Sequence, residues 1–141
     1  MPDTPRFIHL RLHSEYSLLE GAMRLKTLPG LIAGMDMPAV AVTDSNNMFA
    51  ALEFSVGAAK AGVQPIMGAQ VDLQHVETGP GDQPVPPAPV VLLAQDEAGY
   101  RNLMKLQSRL YLRGDGWLPH VTPEELAAHA AGVICLTGGP D

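Results

Sequence analysis

Apolar residues fall along this chain in short dense runs, divided by longer stretches with helical spacing. Residues 7–13, Phe7-Ile8-His9-Leu10-Arg11-Leu12-His13, read as a first strand. Ala39-Val40-Ala41-Val42-Thr43 predicts a short, fully apolar strand that runs into the polar loop Asp44-Ser45-Asn46-Asn47. Residues 64–73, with Gly68 inside, and residues 90–94 predict two more strands, and Val133-Ile134-Cys135-Leu136 a last one. A helix over 28–35 is predicted behind Thr27 as its cap, ending near Gly34 and before Pro38. A second, over 49–61, carries Leu52, Val56 and Ala59 on one side and stops at Gly62. The longest, over 96–112, presents Tyr100, Leu103, Leu106 and Leu110 as its apolar face. Thr122 can cap a short helix over 123–129, with Pro123 at its first position and Glu124-Glu125 near its positive end.

Strands that are apolar throughout and separated by helices are buried on both faces, which implies an α/β fold of parallel βα units. A doubly wound sheet and a barrel both satisfy that pattern. Polar residues recur at the strand ends, at Arg11 and His13, Asp44, Gln70 and Thr137. Side chains from many strands converging on one end favour a barrel. The Pro- and Gly-rich segment 78–89 can form neither helix nor interior strand, and reads as an exposed loop because both flanks continue one βα pattern. No G-x-G-x-x-G follows a strand, so a dinucleotide site has no support.

A length of 141 residues fits one domain with a real core. No apolar run reaches the roughly 18 residues of a membrane span, and no basic-then-apolar leader opens the chain, which points to a cytoplasmic protein without membrane contact. The single cysteine, Cys135, lies in an apolar run and reads as a buried core thiol. A net charge of −6 argues against these residues gripping nucleic acid by themselves. The densest basic group, Arg101, Lys105, Arg109 and Arg113, has a spacing of four and reads as a solvated helical face. His75, His120 and His129 read as solvent-exposed, His9 as making a local contact and Trp117 as a loop anchor over the core. Asn46-Asn47 reads as turn chemistry.

Five segments, in order, carry a family resemblance. They are His9-Leu10-Arg11-Leu12-His13-Ser14 with Tyr16-Ser17 and Glu20-Gly21, Met37-Pro38-Ala39 through Ala41-Val42-Thr43-Asp44 and Asn47, Pro65-Ile66 with Gly68, Leu92-Leu93-Ala94 with Gly99-Tyr100-Arg101-Asn102-Leu103, and Leu136-Thr137-Gly138. Together the chain resembles the PHP domain (polymerase and histidinol phosphatase) that forms the N-terminus of bacterial DNA polymerase III alpha subunits. The resemblance implies a distorted (β/α)7 barrel of nearly twice this length, of which residues 1–141 are the N-terminal part. It implies that the palm, fingers and thumb, with their Mg²⁺-dependent polymerase site, lie outside the chain.

Metal-binding members of that family gather His, Asp, Glu and Cys from several strand ends around divalent ions that activate water for phosphoester hydrolysis. The resemblance places a vestige of that site here. Arg11 stands where the first His of the paired motif would be, while His13 is kept. Glu20 and Asp44 keep carboxylates. Ser45 stands for a His, Gln70 for a carboxylate, Pro89 for a His and Gly139 for a Cys. Arg does not ligate a cation. The expectation is therefore no metal, no cofactor and no catalytic residue in these 141 residues, with Arg11 held by Asp44 or Glu20. The function implied is a non-catalytic scaffold of the replicative polymerase. Its expected partners are the proofreading 3′–5′ exonuclease subunit and other holoenzyme subunits, with DNA met through the full-length protein. An active metal-dependent phosphoesterase or proofreading nuclease, and a stand-alone binding module, are the alternatives. A barrel portion would also expose apolar edges near residues 7–13 and 133–136, so the isolated chain is expected to associate or to melt without cooperativity.

Overall fold

The computed structural model describes residues 6–113 and 118–137, so the positions of Trp117 and Gly139 lie outside the described residues. The elements follow in the order α1 (Leu28–Gly34), β1 (Ala39–Val42), α2 (Ala51–Lys60), β2 (Gln64–Leu73), β3 (Ala88–Ala94), α3 (Glu97–Leu112), α4 (Pro123–Ala128) and β4 (Val133–Leu136). The strands form one sheet in the order β1-β2-β3-β4.

The α/β class holds, and the sheet is mixed rather than wholly parallel. β1 and β2 run parallel around the α2 crossover. β2 and β3 are antiparallel, because the connector between them carries no helix. A loop without a crossover helix returns the chain beside the strand it left. β4 is also antiparallel to β3. Here α3 carries the chain back and residue 121 pairs beside Leu73 at the end of β2. α4 then brings it forward again, so that Val133 enters opposite Ala94. The first predicted strand forms no regular ladder. It still runs parallel to β1: the Ala41 amide donates to His9 O at 2.9 Å and the Thr43 amide to Leu12 O at 2.8 Å.

Alternation along the strands divides the core. Val40 and Val42 face α1 and α2, where they pack with Leu25, Leu28, Ile32, Phe54 and Ala58. Ala69, Val71, Val90 and Leu92 face α3, against Leu103, Leu106, Leu110 and Val121. On the opposite face Ala41, Val91 and Leu93 gather with Ile66 and Leu136. The helices thus cover one side of the sheet, and Gln70 points to the other side by register with Val91. Gly68 lies on that same face, and any side chain there would collide. A Cβ would stand 2.6 Å from Leu92 O and 2.9 Å from both the Leu93 and Thr43 side chains.

Two helix faces differ from the sequence reading. α2 turns Phe54 and Ala58 inward and leaves Leu52 77% exposed, with Val56 and Ala59 also exposed. The i, i+4 rule identifies an apolar stripe but not which of two stripes the sheet takes. α3 buries Leu103, Leu106 and Leu110 as expected, with Tyr100 only half-buried. Asp96 caps it by accepting from the Gly99 amide at 2.8 Å. α4 has the full capping box between Thr122 and Glu125. Thr27 precedes α1 but does not cap it through its side chain, since its hydroxyl donates back to Arg24 O. Cys135 is exposed, not a core thiol, because β4 is the last strand of the sheet and its outer edge has no neighbour among the described residues. His120 is buried with Nδ1–H donating to Leu118 O at 2.8 Å, whereas His75 is exposed and His129 half-buried.

The orientation of α2 has a direct test in chemical denaturation. Phe54→Ala should cost about 3–5 kcal/mol, as for a fully buried aromatic. Leu52→Ala should change stability by less than about 0.5 kcal/mol, as for an exposed side chain.

Candidate functional site

The site is built where the first segment, the end of β1 and the middle of β2 meet. Beyond Val42 the chain stays beside β2: the Gln70 amide donates to Asp44 O at 3.0 Å, and the Asn46 amide to Gln70 O at 2.7 Å. This sets Asp44, Ser45 and Gln70 side by side. The segment carrying Arg11 and His13 is laid against β1 by the backbone bonds from His9 and Leu12, and the Leu12 amide also donates to Thr43 Oγ1.

Asp44 is 1% exposed and is the anchor. Its Oδ1 accepts from the Ser14 amide at 2.6 Å and the Ser17 hydroxyl at 2.7 Å, and its Oδ2 from the Ser14 hydroxyl at 2.7 Å. A buried carboxylate is tolerable when such donors replace its water shell. Ser17 Oγ in turn accepts from the Ser45 amide, which closes the loop of bonds. The turn through residues 14–21 is tight enough to require glycine at its end, since a Cβ on Gly21 would stand 2.0 Å from Ser14 O.

Gln70 is the hub. Its Oε1 accepts from Arg11 Nε at 3.0 Å and from His13 Nε2 at 3.2 Å. Because the guanidinium only donates, the atom facing it is the amide oxygen, and His13 Nε2 must therefore carry a proton. Gln70 Nε2 reaches Ser45 Oγ at 3.5 Å. Ser45 Oγ donates to Glu20, whose Oε2 also lies 3.4 Å from His13 Nδ1. Glu20 is about half-exposed, so its pairing with His13 contributes less than about 1 kcal/mol.

Arg11, His13, Glu20, Asp44, Ser45 and Gln70 are thus brought into one connected cluster. The expected partner of Arg11 is different: neither Asp44 nor Glu20 is among its described partners, and the Gln70 carbonyl takes that place. Asp44 is fully engaged by serine donors, and Glu20 is drawn to Ser45 and His13. Pro89 pairs with Asp72, two residues along the same face from the Gln70–Val91 pair. Asp72 Oδ2 accepts from Asn46 Nδ2 at 3.2 Å. Asn46 takes a left-handed φ of 54°, and Asn47 bonds the backbone of Ser45, Tyr16 and Phe49, so both do the turn chemistry expected of them. The sequence reading gave no role to Ser14 and Ser17. The available signal was a strand-end aspartate followed by no basic residue, which must find donors elsewhere in a buried site.

The cluster does not suit a divalent ion. Among the described residues no three His, Cys, Asp or Glu side chains come together at ligand spacing. His13 uses Nε2 as a donor, the Asp44 oxygens are occupied, and a fixed cation sits beside Gln70. Beside the cluster lies an open cleft of about 570 Å³, lined by Arg11, Leu12, His13, Glu20 and Met23. Tyr111 ties α3 to the same corner by donating its hydroxyl to Asn46 O at 2.5 Å, and burial pushes that hydroxyl's pKa up.

Removing the anchor should loosen the whole cluster. Asp44→Ala strands three buried donors and should lower stability by about 2–4 kcal/mol. In urea titrations, a loss below about 0.5 kcal/mol would contradict this arrangement.

The sequence over residues 9–141 matches the PHP domain family. Curated relatives include the DNA polymerase III alpha subunits of Caulobacter vibrioides, 42% identical, and Pseudomonas fluorescens, 45% identical; each alignment takes in 96% of this chain. The chain spans only 12% and 11%, respectively, of those proteins' lengths. Among solved structures, an amidohydrolase from Chromobacterium violaceum has a TM-score of 0.51 at 21% identity, over 79% of this chain and 40% of that one. A Bifidobacterium adolescentis protein assigned as a metal-dependent phosphoesterase has a TM-score of 0.50 at 15% identity, over 89% and 44%. These likenesses concern the fold, and with the family match they establish that this chain belongs to the PHP domain family.

Proposed function

We propose that these residues are the PHP portion of a replicative DNA polymerase III alpha subunit, and that this portion is a non-catalytic scaffold which docks the proofreading 3′–5′ exonuclease subunit. DNA synthesis then belongs to residues outside the chain, with Mg²⁺ at that distant site, in the cytoplasm. The observation that carries the non-catalytic reading is the Arg11–Gln70–His13 bridge, which fills the former metal pocket with hydrogen bonds. Such a bridge keeps the family's strand-end architecture without the ion that would otherwise hold it.

The docking reading draws on the surface next to that pocket. Tyr16, Leu18, Leu19, Phe49 and Leu52 are all exposed, and the Tyr16 and Phe49 rings meet edge to face at 6.3 Å. Leu19 holds a φ of 69°, unusual for a branched side chain. Several large apolar residues in one region of the surface are the ordinary mark of a protein interface.

Two measurements separate the parts of this reading. Mass spectrometry of the dialysed full-length protein should find no zinc or manganese bound at this domain, and near-stoichiometric metal there would refute the non-catalytic part. Phe49→Asp with Leu19→Asp should weaken capture of the exonuclease subunit by about tenfold or more, the effect of losing a central contact. Unchanged capture would refute docking on this surface and leave the metal result untouched.

A further inference from the structure

A second cleft, of about 450 Å³, lies between the C-terminal half of α3 and α4, on the helix-covered side of the sheet. It is lined by Lys105, Arg109, Arg113, Glu125 and His129 among others. Among the described residues the charges do not cancel. Glu125 is ion-paired with Arg113, and the same Oε2 accepts from the Thr122 amide in the capping box. Lys105 and Arg109 have no ion-pair partner among the described residues, in contrast to Arg101 one turn earlier, which Glu97 neutralises. The C-terminal end of α3 subtracts about half a charge, so the described lining residues keep a local excess of about +1.5 on a chain whose net charge is −6. His129 donates Nδ1–H to Glu125 O at 2.8 Å, and its Nε2 has no partner among the described residues. The basic spacing that read as a plain solvated face is therefore half of a walled cleft, with α4 as the opposite wall.

We propose that this cleft is a binding site for a phosphate group. Lys105 and Arg109 stand one helical turn apart, a rise of about 6 Å, so one tetrahedral anion can be held between an ammonium and a guanidinium. Arg113, fixed by Glu125, closes one end, and His129 lines the wall opposite. The phosphate can come from a nucleic-acid backbone or from a free phosphomonoester; both present the same oxygens. The site lies apart from the Arg11 cluster and stands whether or not the docking reading holds.

Lysine acetylation of the full-length protein, read by mass spectrometry, tests this residue by residue. The chain has three lysines, Lys26, Lys60 and Lys105, so two serve as internal controls. At low salt, a short oligothymidylate should slow acetylation of Lys105 by about threefold or more and leave Lys26 and Lys60 unchanged, with protection fading as salt rises. Arg109→Glu, on the exposed side of α3, should abolish that protection. If orthophosphate protects Lys105 and the oligonucleotide does not, the site takes free phosphate. Absence of protection by either, equal protection by polyglutamate, or protection that survives Arg109→Glu would each overturn the proposal.

Discussion

A carboxylate buried at the end of the first strand organises this domain. Asp44 cannot sit at 1% exposure without donors, and it obtains them from a segment some thirty residues upstream. The Ser14 amide and hydroxyl and the Ser17 hydroxyl fold residues 14–21 over the sheet, and this carries His13 and Glu20 to Ser45 and Gln70. Three bonds to one charged group, each worth about 1.5–3 kcal/mol, exceed what the half-exposed His13–Glu20 pair contributes. The anchor fixes the position of the cluster, and the cluster decides what the pocket can hold.

In that pocket the substitutions act together. Arg11 brings a permanent cation, and the neutral Gln70 amide accepts from both it and His13. A carboxylate at position 70 would attract a cation as well as Arg11, whereas an amide offers one carbonyl and then its NH₂ group, which turns to Ser45. The arrangement is a chain of directional hydrogen bonds, which has no requirement for deprotonated ligands. The mixed sheet lies beneath: the site's residues come from the first segment, the loop that leaves β1 and the middle of β2, while the antiparallel β3 pairs with β2 from the other side.

Much of this was legible in the residues. The apolar runs placed β1, β2, β3 and β4, and the Thr122–Glu125 capping box and the Leu103, Leu106, Leu110 face of α3 follow from spacing alone. Strand direction was not legible, because a run such as 88–94 is equally apolar in either orientation and only the helix-free connector before it sets the return. The inward face of α2 was misread for a related reason: Leu52 and Val56 form as good a stripe as Phe54 and Ala58, and the sheet selects one. Positions 11, 13, 20, 44, 45 and 70 converge in one cluster, but the partners do not follow from residue type. Opposite charges suggested Arg11 with Asp44 or Glu20, yet Asp44 was already satisfied by serines whose nearness only the fold reveals.

The central claim is that hydrogen bonds stand where the family holds metal. The most direct measurement is anomalous diffraction from crystals of the full-length protein soaked in Mn²⁺, with data collected to a resolution that orients the Gln70 amide. The account predicts no anomalous peak in the cleft bounded by Arg11, His13 and Glu20, with the Arg11 and His13 bonds to Gln70 Oε1 intact. A peak at about 2.0–2.3 Å from His13 and Glu20, with Arg11 swung away from Gln70, would contradict it.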